Sequence, residues 1–433
     1  MSKIVFLGAG STVFARNVLG DCLHVPALRD AEIALIDIDA ERLGVSELMV
    51  KNLARNLGAP ARIQSYLAAD AATALAGADY VVNAIQVGGY EPSTVIDFEV
   101  PKKYGLRQTI GDTLGIGGIF RALRTIPVML GYCQVMEQVA PKAVLLNYSN
   151  PMSMLTGAIQ RATSVRTVGL CHSVQVCAPH LCAELDLPSD DLQWKIAGIN
   201  HQGWLLEITR HGEDLYPEIK RRAVLPEYVA RDTVRFEFMK RFGYYVTESS
   251  EHSAEYVPWF IKSRAPELIE RFHIPLDEYP RRCIEQIERW GRMKDELLAD
   301  ENETRPRGHE YASYILEALE TGVPFTFGGN VPNAGLIPNL PQEACVEVMC
   351  VADRTGITPT YAGALPPQCA ALNRTNINVQ LLTIEAALTL KKEHIYQAAL
   401  LDPHTAAELT VDEIVALCDD LIAAHGSYLP AYH

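Results

Sequence analysis

The chain has 433 residues, is 48% hydrophobic and 21% charged, and carries a formal net charge of −15. Scattered Lys and Arg in a net-acidic chain form no basic patch, which excludes nucleic acid and an anionic membrane surface as partners. No run approaches the roughly 18–20 apolar residues that span a bilayer.

Met1-Ser2-Lys3 leads straight into an apolar run without a signal-peptide pattern, so a cytoplasmic location is expected. The 10 cysteines sit at irregular spacings with no CxxC pair, and read as reduced thiols, one or two of them available as ligands.

In chain order, Lys3–Gly10 is an apolar run ending in Gly8-x-Gly10, followed by Ser11, Thr12 and a helical pattern through Val18, Leu19 and Leu23. That is the pattern of a buried strand, a tight turn and a helix N-terminus whose free N–H groups receive a pyrophosphate. Val13 stands where the usual fingerprint has its third small residue. Ile33–Ile36 predicts a second strand with Asp37 at its tip. A carboxylate there suits a ribose hydroxyl pair and repels a 2′-phosphate, favouring NAD over NADP. Asp39 fits the N-cap of the next helix.

Arg62–Leu67 and Tyr80–Ile85 predict further strands, with a short helix over Asp70–Ala76 between them. The last strand leads into Gln86-Val-Gly-Gly89, where glycines let backbone approach a cofactor. Residues 116–139 carry helical spacing, Ala143–Asn147 reads as a strand, and Pro151 suits the first turn of the following helix. Thr167–Cys171 completes a doubly wound sheet of about six strands.

Beyond Asn200 the pattern is less regular. Trp204–Thr209 predicts an antiparallel strand, and 213–300 is mostly helical with a charged amphipathic stretch over 277–298. Short strands and turns fill 325–351, and helix follows from Asn373, with a capping box at Thr410 and Glu413. The expected fold is α/β: a Rossmann-like NAD-binding doubly wound sheet over 1–195, fused to an α+β, largely helical domain over 196–433. The second domain would bind substrate and metal and support oligomerisation, in the manner of the lactate/malate dehydrogenase superfold.

Functional groups of an open α/β sheet gather beyond the carboxyl ends of its strands. That rule selects Gln86, Asn147 with Asn150, and Cys171 with His172. It also brings in the loop Gly111–Gly118, which carries Asp112 and leads into a helix containing Arg121 and Arg124. Zinc sites take three or four protein ligands. A site with only a cysteine and a histidine needs substrate hydroxyls to complete it, which suits a labile divalent ion such as Mn²⁺.

Seven segments then occur in order: Gly8-Ala-Gly-Ser-Thr12, Leu35-Ile-Asp-Ile-Asp39, Asp112-Thr-Leu-Gly-Ile-Gly-Gly118, Arg121-Ala-Leu-Arg-Thr-Ile-Pro127, Asn147-Tyr-Ser-Asn-Pro-Met152, Cys171-His-Ser-Val-Gln175 and Gly198-Ile-Asn-His201. Gly335-Leu-Ile-Pro-Asn-Leu340 and Val346-Glu-Val348 follow. Together they resemble glycoside hydrolase family 4 over essentially the whole chain. The family's enzymes require NAD⁺ and a divalent metal, usually Mn²⁺, and Cys171–Gln175 resembles the α-galactosidase (melibiase) branch.

Most glycosidases set two carboxylates about the scissile bond, and this family is an exception. The resemblance implies that hydride passes from sugar C3 to NAD⁺ and that a base removes the acidified C2 proton while the metal acts as Lewis acid. The C1–O bond then breaks by elimination, water adds and the hydride returns. It implies Gly8, Gly10, Ser11, Thr12, Asp37 and Gln86 as cofactor residues, and Cys171 and His201 as metal ligands. Asn150 and Asn200 become substrate residues. Asp112 and His172 are alternative proton donors, and Tyr245 and Glu251 are candidates for the C2 base.

The expected partners are an α-galactoside or small oligosaccharide and further copies of the chain, in a homo-dimer or homo-tetramer. Alternatives are an α-galacturonidase or another α-glycosidase of the family, a 2-hydroxy acid dehydrogenase in which Arg121 or Arg124 clamps a carboxylate, and a non-catalytic NAD sensor.

Overall fold

The computed structural model describes residues 1–299 and 304–433. Six apolar runs of the N-terminal half form strands β1 (Lys3–Leu7), β2 (Glu32–Asp37), β3 (Arg62–Leu67), β4 (Tyr80–Asn83), β5 (Val144–Asn147) and β6 (Arg166–Gly169). They lie parallel in the order β6-β5-β4-β1-β2-β3. Helices connect consecutive strands and cover both faces, which is why β1, β4 and β5 are apolar rather than alternating. The chain order reverses between β1 and β4, and the crevice for a ligand opens beyond that point.

The expected strand to Cys171 ends at Gly169. Leu170 N–H bonds back to Asn147 O at 2.8 Å, and Cys171 already N-caps the helix His172–Glu184. The thiol therefore stands at a strand-to-helix corner at the carboxyl end of the sheet.

The second half extends the same sheet instead of building a separate one. Its strands are β7 (Leu192–Ile199), β8 (Gln202–Arg210), β9 (Glu213–Asp214), β10 (Tyr245–Val246), β11 (Phe325–Pro332), β12 (Cys345–Asp353) and β13 (Gly356–Pro359). β11 pairs with β6 through Asn330 and Gly169, and β12, β7, β8 and β10 continue outward. The expected division at 195/196 falls inside β7.

Between β8 and β11 the chain is mainly short helices, as expected for 213–300, although residue 300 lies outside the described residues. The helix Pro367–Thr389 packs on Gly115–Val139 and Met152–Ala162. The Thr410/Glu413 capping box is formed at the start of Val411–His425. No helix among the described residues is long and apolar enough to cross a membrane.

Candidate active site

At the end of β1, Gly10 N–H donates to the Asp37 carboxylate at 2.6 Å. A Cβ on residue 10 would lie 2.8 Å from that carboxylate, so only glycine lets the turn close on the acid. The second Asp37 oxygen accepts from Asp39 N–H at 3.0 Å, and Asp39 caps the helix Ala40–Asn56. Thr12 is buried, its hydroxyl 2.9 Å from Ser46 Oγ, so it holds the turn, while Ser11 stands exposed at the helix start. Gln86 is exposed beyond β4. A glycine turn at a helix N-terminus, with an acid at the tip of β2, fits a dinucleotide.

Beyond the ends of β6 and β7 lies a second cluster. His201 occupies the turn Asn200–His201 between paired Ile199 and Gln202, with φ of +62°. Glu248 is delivered beside it because Thr247 N–H donates to Gly203 O at 2.8 Å and Thr247 Oγ accepts from Gly203 N–H at 3.0 Å. Glu248 is also left-handed, with φ of +71°. Each such non-glycine residue stores on the order of 1–3 kcal/mol, a cost that recurs at functional sites.

One ligand atom each from Cys171, His201 and Glu248 lies within 4.8 Å of the others. His201 Nδ1 is 3.0 Å from the Tyr256 hydroxyl, which leaves Nε2 for the cluster, 3.4 Å from Glu248 Oε2. Burial pushes the His201 imidazolium down, but the Glu248 carboxylate and the Cys171 thiol outweigh it and hold the pKa up at about 10. Two acidic groups thus converge on a proton that a divalent cation would replace. Thiolate, imidazole and carboxylate form a coherent donor set for such an ion.

Asp112 borders this cluster. It accepts from Asn150 Nδ2 at 3.1 Å and from the Thr113 hydroxyl at 2.8 Å, and lies 3.7 Å from His252 Nε2. Burial opposes its charge, yet the hydrogen bond to His252 and the charges of Arg121, His252 and His201 hold its carboxyl well below the usual range. On its other side, His252 Nδ1 is 3.0 Å from Ser249 Oγ and 3.5 Å from Glu248 Oε1. His252 therefore links the acid to the ligand cluster. The loop bearing Asp112 is tight: a Cβ on Gly117 would lie 2.4 Å from Gly111 O.

The remaining sequence candidates fall differently. Tyr245 is fully buried in β10, its hydroxyl given to Asp232 and its ring under Arg235, so the structure removes it as a base. Asn200 is also fully buried and donates to Glu347 at 3.3 Å, bracing the turn behind His201. Glu251 lies 4.0 Å from Arg282, and its backbone carbonyl accepts from Thr109. His172 is half-exposed, 2.9 Å from Glu310, among Phe14, Tyr148 and Tyr311.

Arg124 is buried and bidentate to Asp97 at 2.9 and 2.6 Å, while Arg121 donates to Asn150 O and Tyr279. Neither is free to clamp a carboxylate as a hydroxy-acid dehydrogenase requires. Glu248 and Tyr256 were missed from sequence, because single polar residues in an irregular stretch carry no periodic or spacing signal.

The fold and site define a class: a Rossmann-fold protein whose dinucleotide crevice adjoins a thiol–imidazole–carboxylate cluster. The family 4 glycosyl hydrolase model matches residues 3–187, and the family 4 glycosyl hydrolase C-terminal domain matches 196–405. The chain belongs to family 4 of the glycosyl hydrolases.

It is 61% identical to an alpha-galactosidase of Bacillus subtilis (strain 168), over all of both chains. A 6-phospho-alpha-glucosidase from gut microorganisms, solved with NAD and Mn²⁺, superposes with a TM-score of 0.79 over all of both chains at 22% identity, a likeness of fold. A malate dehydrogenase of Plasmodium falciparum shares the fold more distantly, with a TM-score of 0.56 at 13% identity over 90% of this chain and 99% of that one.

Proposed function

We propose that the chain hydrolyses α-galactosides, using NAD⁺ and a divalent ion, Mn²⁺ foremost, as cofactors that are not consumed. The observation that carries this reading is the convergence of Cys171, His201 and Glu248 within 4.8 Å beside a dinucleotide crevice. The identity to the Bacillus subtilis alpha-galactosidase supports the choice of sugar.

When bound, the two cofactors supply reversible hydride acceptance at sugar C3 and Lewis-acid polarisation of the neighbouring oxygens. Cys171, His201 and Glu248 hold the ion, and Tyr256 fixes the His201 tautomer through Nδ1. Asp112 and His252 lie 3.7 Å apart and together deliver the proton to the leaving oxygen. Asn150 holds the Asp112 carboxylate in place. Gly8, Gly10, Ser11 and Asp37 cradle the dinucleotide, with Gln86 at the nicotinamide side.

The site's own charge argues for a neutral sugar. Asp112, Glu248 and Glu310 are acidic, and the guanidinium groups of Arg121 and Arg124 already serve Tyr279 and Asp97. Neither guanidinium is therefore free to receive a 6-phosphate or a uronate carboxylate.

Hydrolysis of nitrophenyl α-galactoside and nitrophenyl α-galacturonide, each with NAD⁺, Mn²⁺ and a reducing agent, tests the reading. The galactoside is expected to react and EDTA to stop it. A reversed preference would assign a galacturonidase, and inertness toward both would return the NAD sensor. Activity that survives EDTA would remove the metal.

A further inference from the structure

The helix Glu278–Ala299 meets the body of the protein at successive points along one face. Near its start, the Tyr279 hydroxyl accepts from Arg121 at 3.0 Å, and the guanidinium sits 5.4 Å from the tyrosine ring. One turn later Cys283 is buried, and the helix contacts the Gly89–Thr94 turn that follows β4. Farther along, Arg42 stacks 5.2 Å from the Trp290 ring and Lys294 pairs with Glu41. Arg42 and Glu41 belong to the first turn of the helix that follows β2.

β1 lies between β4 and β2 in the sheet. Strands about 4.8 Å apart place the end of β2 about 10 Å from the end of β4. The seven residues from Cys283 to Trp290 rise about 10.5 Å at about 1.5 Å each. Span and separation agree, so this segment is long enough to cross the carboxyl end of β1, where the Gly8–Gly10 turn lies.

Tyr279, Cys283, Ile287, Trp290 and Lys294 share the inward face at spacings of three and four. All but Ile287 meet a partner on the protein body. Ile287, in the middle of that face, is 49% exposed. That leaves an apolar side chain half-open between two seated neighbours, on the stretch of helix that spans the glycine turn.

We propose that this helix roofs the dinucleotide crevice, with Ile287 over the pyrophosphate position and Trp290 at the adenosine end, and so retains NAD between turnovers. This rests on the cofactor reading above. It suits that chemistry, because a cofactor that regains its hydride in each cycle has no need to leave.

The test is NAD⁺ binding to the full-length chain by calorimetry, with release followed by stopped-flow dilution. Ile287→Glu should weaken NAD⁺ about tenfold by charge repulsion, most strongly at low salt, while Ile287→Lys binds as tightly as wild type or tighter. A purely structural role would shift both variants alike. Trp290→Ala should release NAD⁺ several-fold faster and leave Mn²⁺ affinity, read by electron paramagnetic resonance, unchanged.

Equal NAD⁺ affinity in the two Ile287 variants, or wild-type release from Trp290→Ala, overturns the roof while leaving the cofactor reading intact. A wild-type chain that binds no NAD⁺ sinks that reading and the roof with it.

Discussion

The Glu255 carboxylate accepts the Gly111 N–H at 2.7 Å and the Thr109 N–H at 2.8 Å, immediately before Asp112 in the chain. Glu255 is buried, and burial raises its carboxyl pKa even though these backbone donors pull it down. Its neighbour Tyr256 bonds to His201, so one short helix end fixes both the acid loop and the ligand turn.

Removing that carboxylate should uncouple the loop. Glu255→Ala leaves buried N–H groups without an acceptor, at about 1–3 kcal/mol each, and is expected to lower both Tm and kcat. Glu255→Gln keeps an acceptor and should recover most of the stability. Thermal melts and steady-state kinetics on both variants check this; an alanine variant with wild-type kcat would show that the loop holds Asp112 unaided.

Because the folded-state pKa of Glu255 lies above its ordinary 4.5, the folded protein holds this proton more tightly than the unfolded chain. Its contribution to stability is therefore full below that ordinary value and fades as pH rises through the folded value. Glu255→Gln cannot ionise, so the stability gap between wild type and variant should shift against wild type across that window. Denaturant melts at a series of pH values read the slope.

Glu248→Gln should weaken Mn²⁺ binding by about 10–100-fold and Cys171→Ala should weaken it further, while both keep NAD⁺ affinity within a few-fold. Since His201 holds its proton up to about 10 in the metal-free protein, metal binding must release it. Calorimetry in buffers of different ionisation enthalpy would count that proton, and affinity should rise with pH. Unchanged Mn²⁺ affinity in Glu248→Gln would reduce the ligand set to Cys171 and His201.

The proton-donor pair makes a kinetic prediction. His252→Ala and Asp112→Asn are each expected to lower kcat by about 10²–10⁴-fold with little change in NAD⁺ affinity. Leaving groups of low pKa should rescue His252→Ala, because they need no protonation. A variant that responds equally to good and poor leaving groups would take His252 out of that role.

Far from the ligand cluster, Asp97 receives both Arg124 nitrogens and lies 2.9 Å from His425 Nε2, tying the helix Val411–His425 to the core. Asp97→Ala strands a buried guanidinium and should cost about 3–5 kcal/mol. Arg124 Nε also donates to Val87 O, in the segment after β4, so NAD⁺ affinity should fall as well. Equilibrium denaturation and NAD⁺ titration measure the two effects.

The chain pattern alone determined the parallel half of the sheet, the Gly8–Gly10 turn and the acid at Asp37. Each rests on neighbours within a few residues, where apolar runs, glycines and caps act locally. Cys171 and His201 were likewise legible, since both follow a strand and sit in segments with a family resemblance. Only tertiary structure decided what joins them.

Glu248, His252, Glu255 and Tyr256 come from a stretch without periodicity, brought into place when β10 pairs with β8 and Thr247 bonds Gly203. The same folding buried Tyr245 and Asn200, which the family resemblance had suggested were in the site. Strand and turn signals are short-range, whereas a site assembled across the sheet depends on which side chains the long-range pairing leaves facing one another.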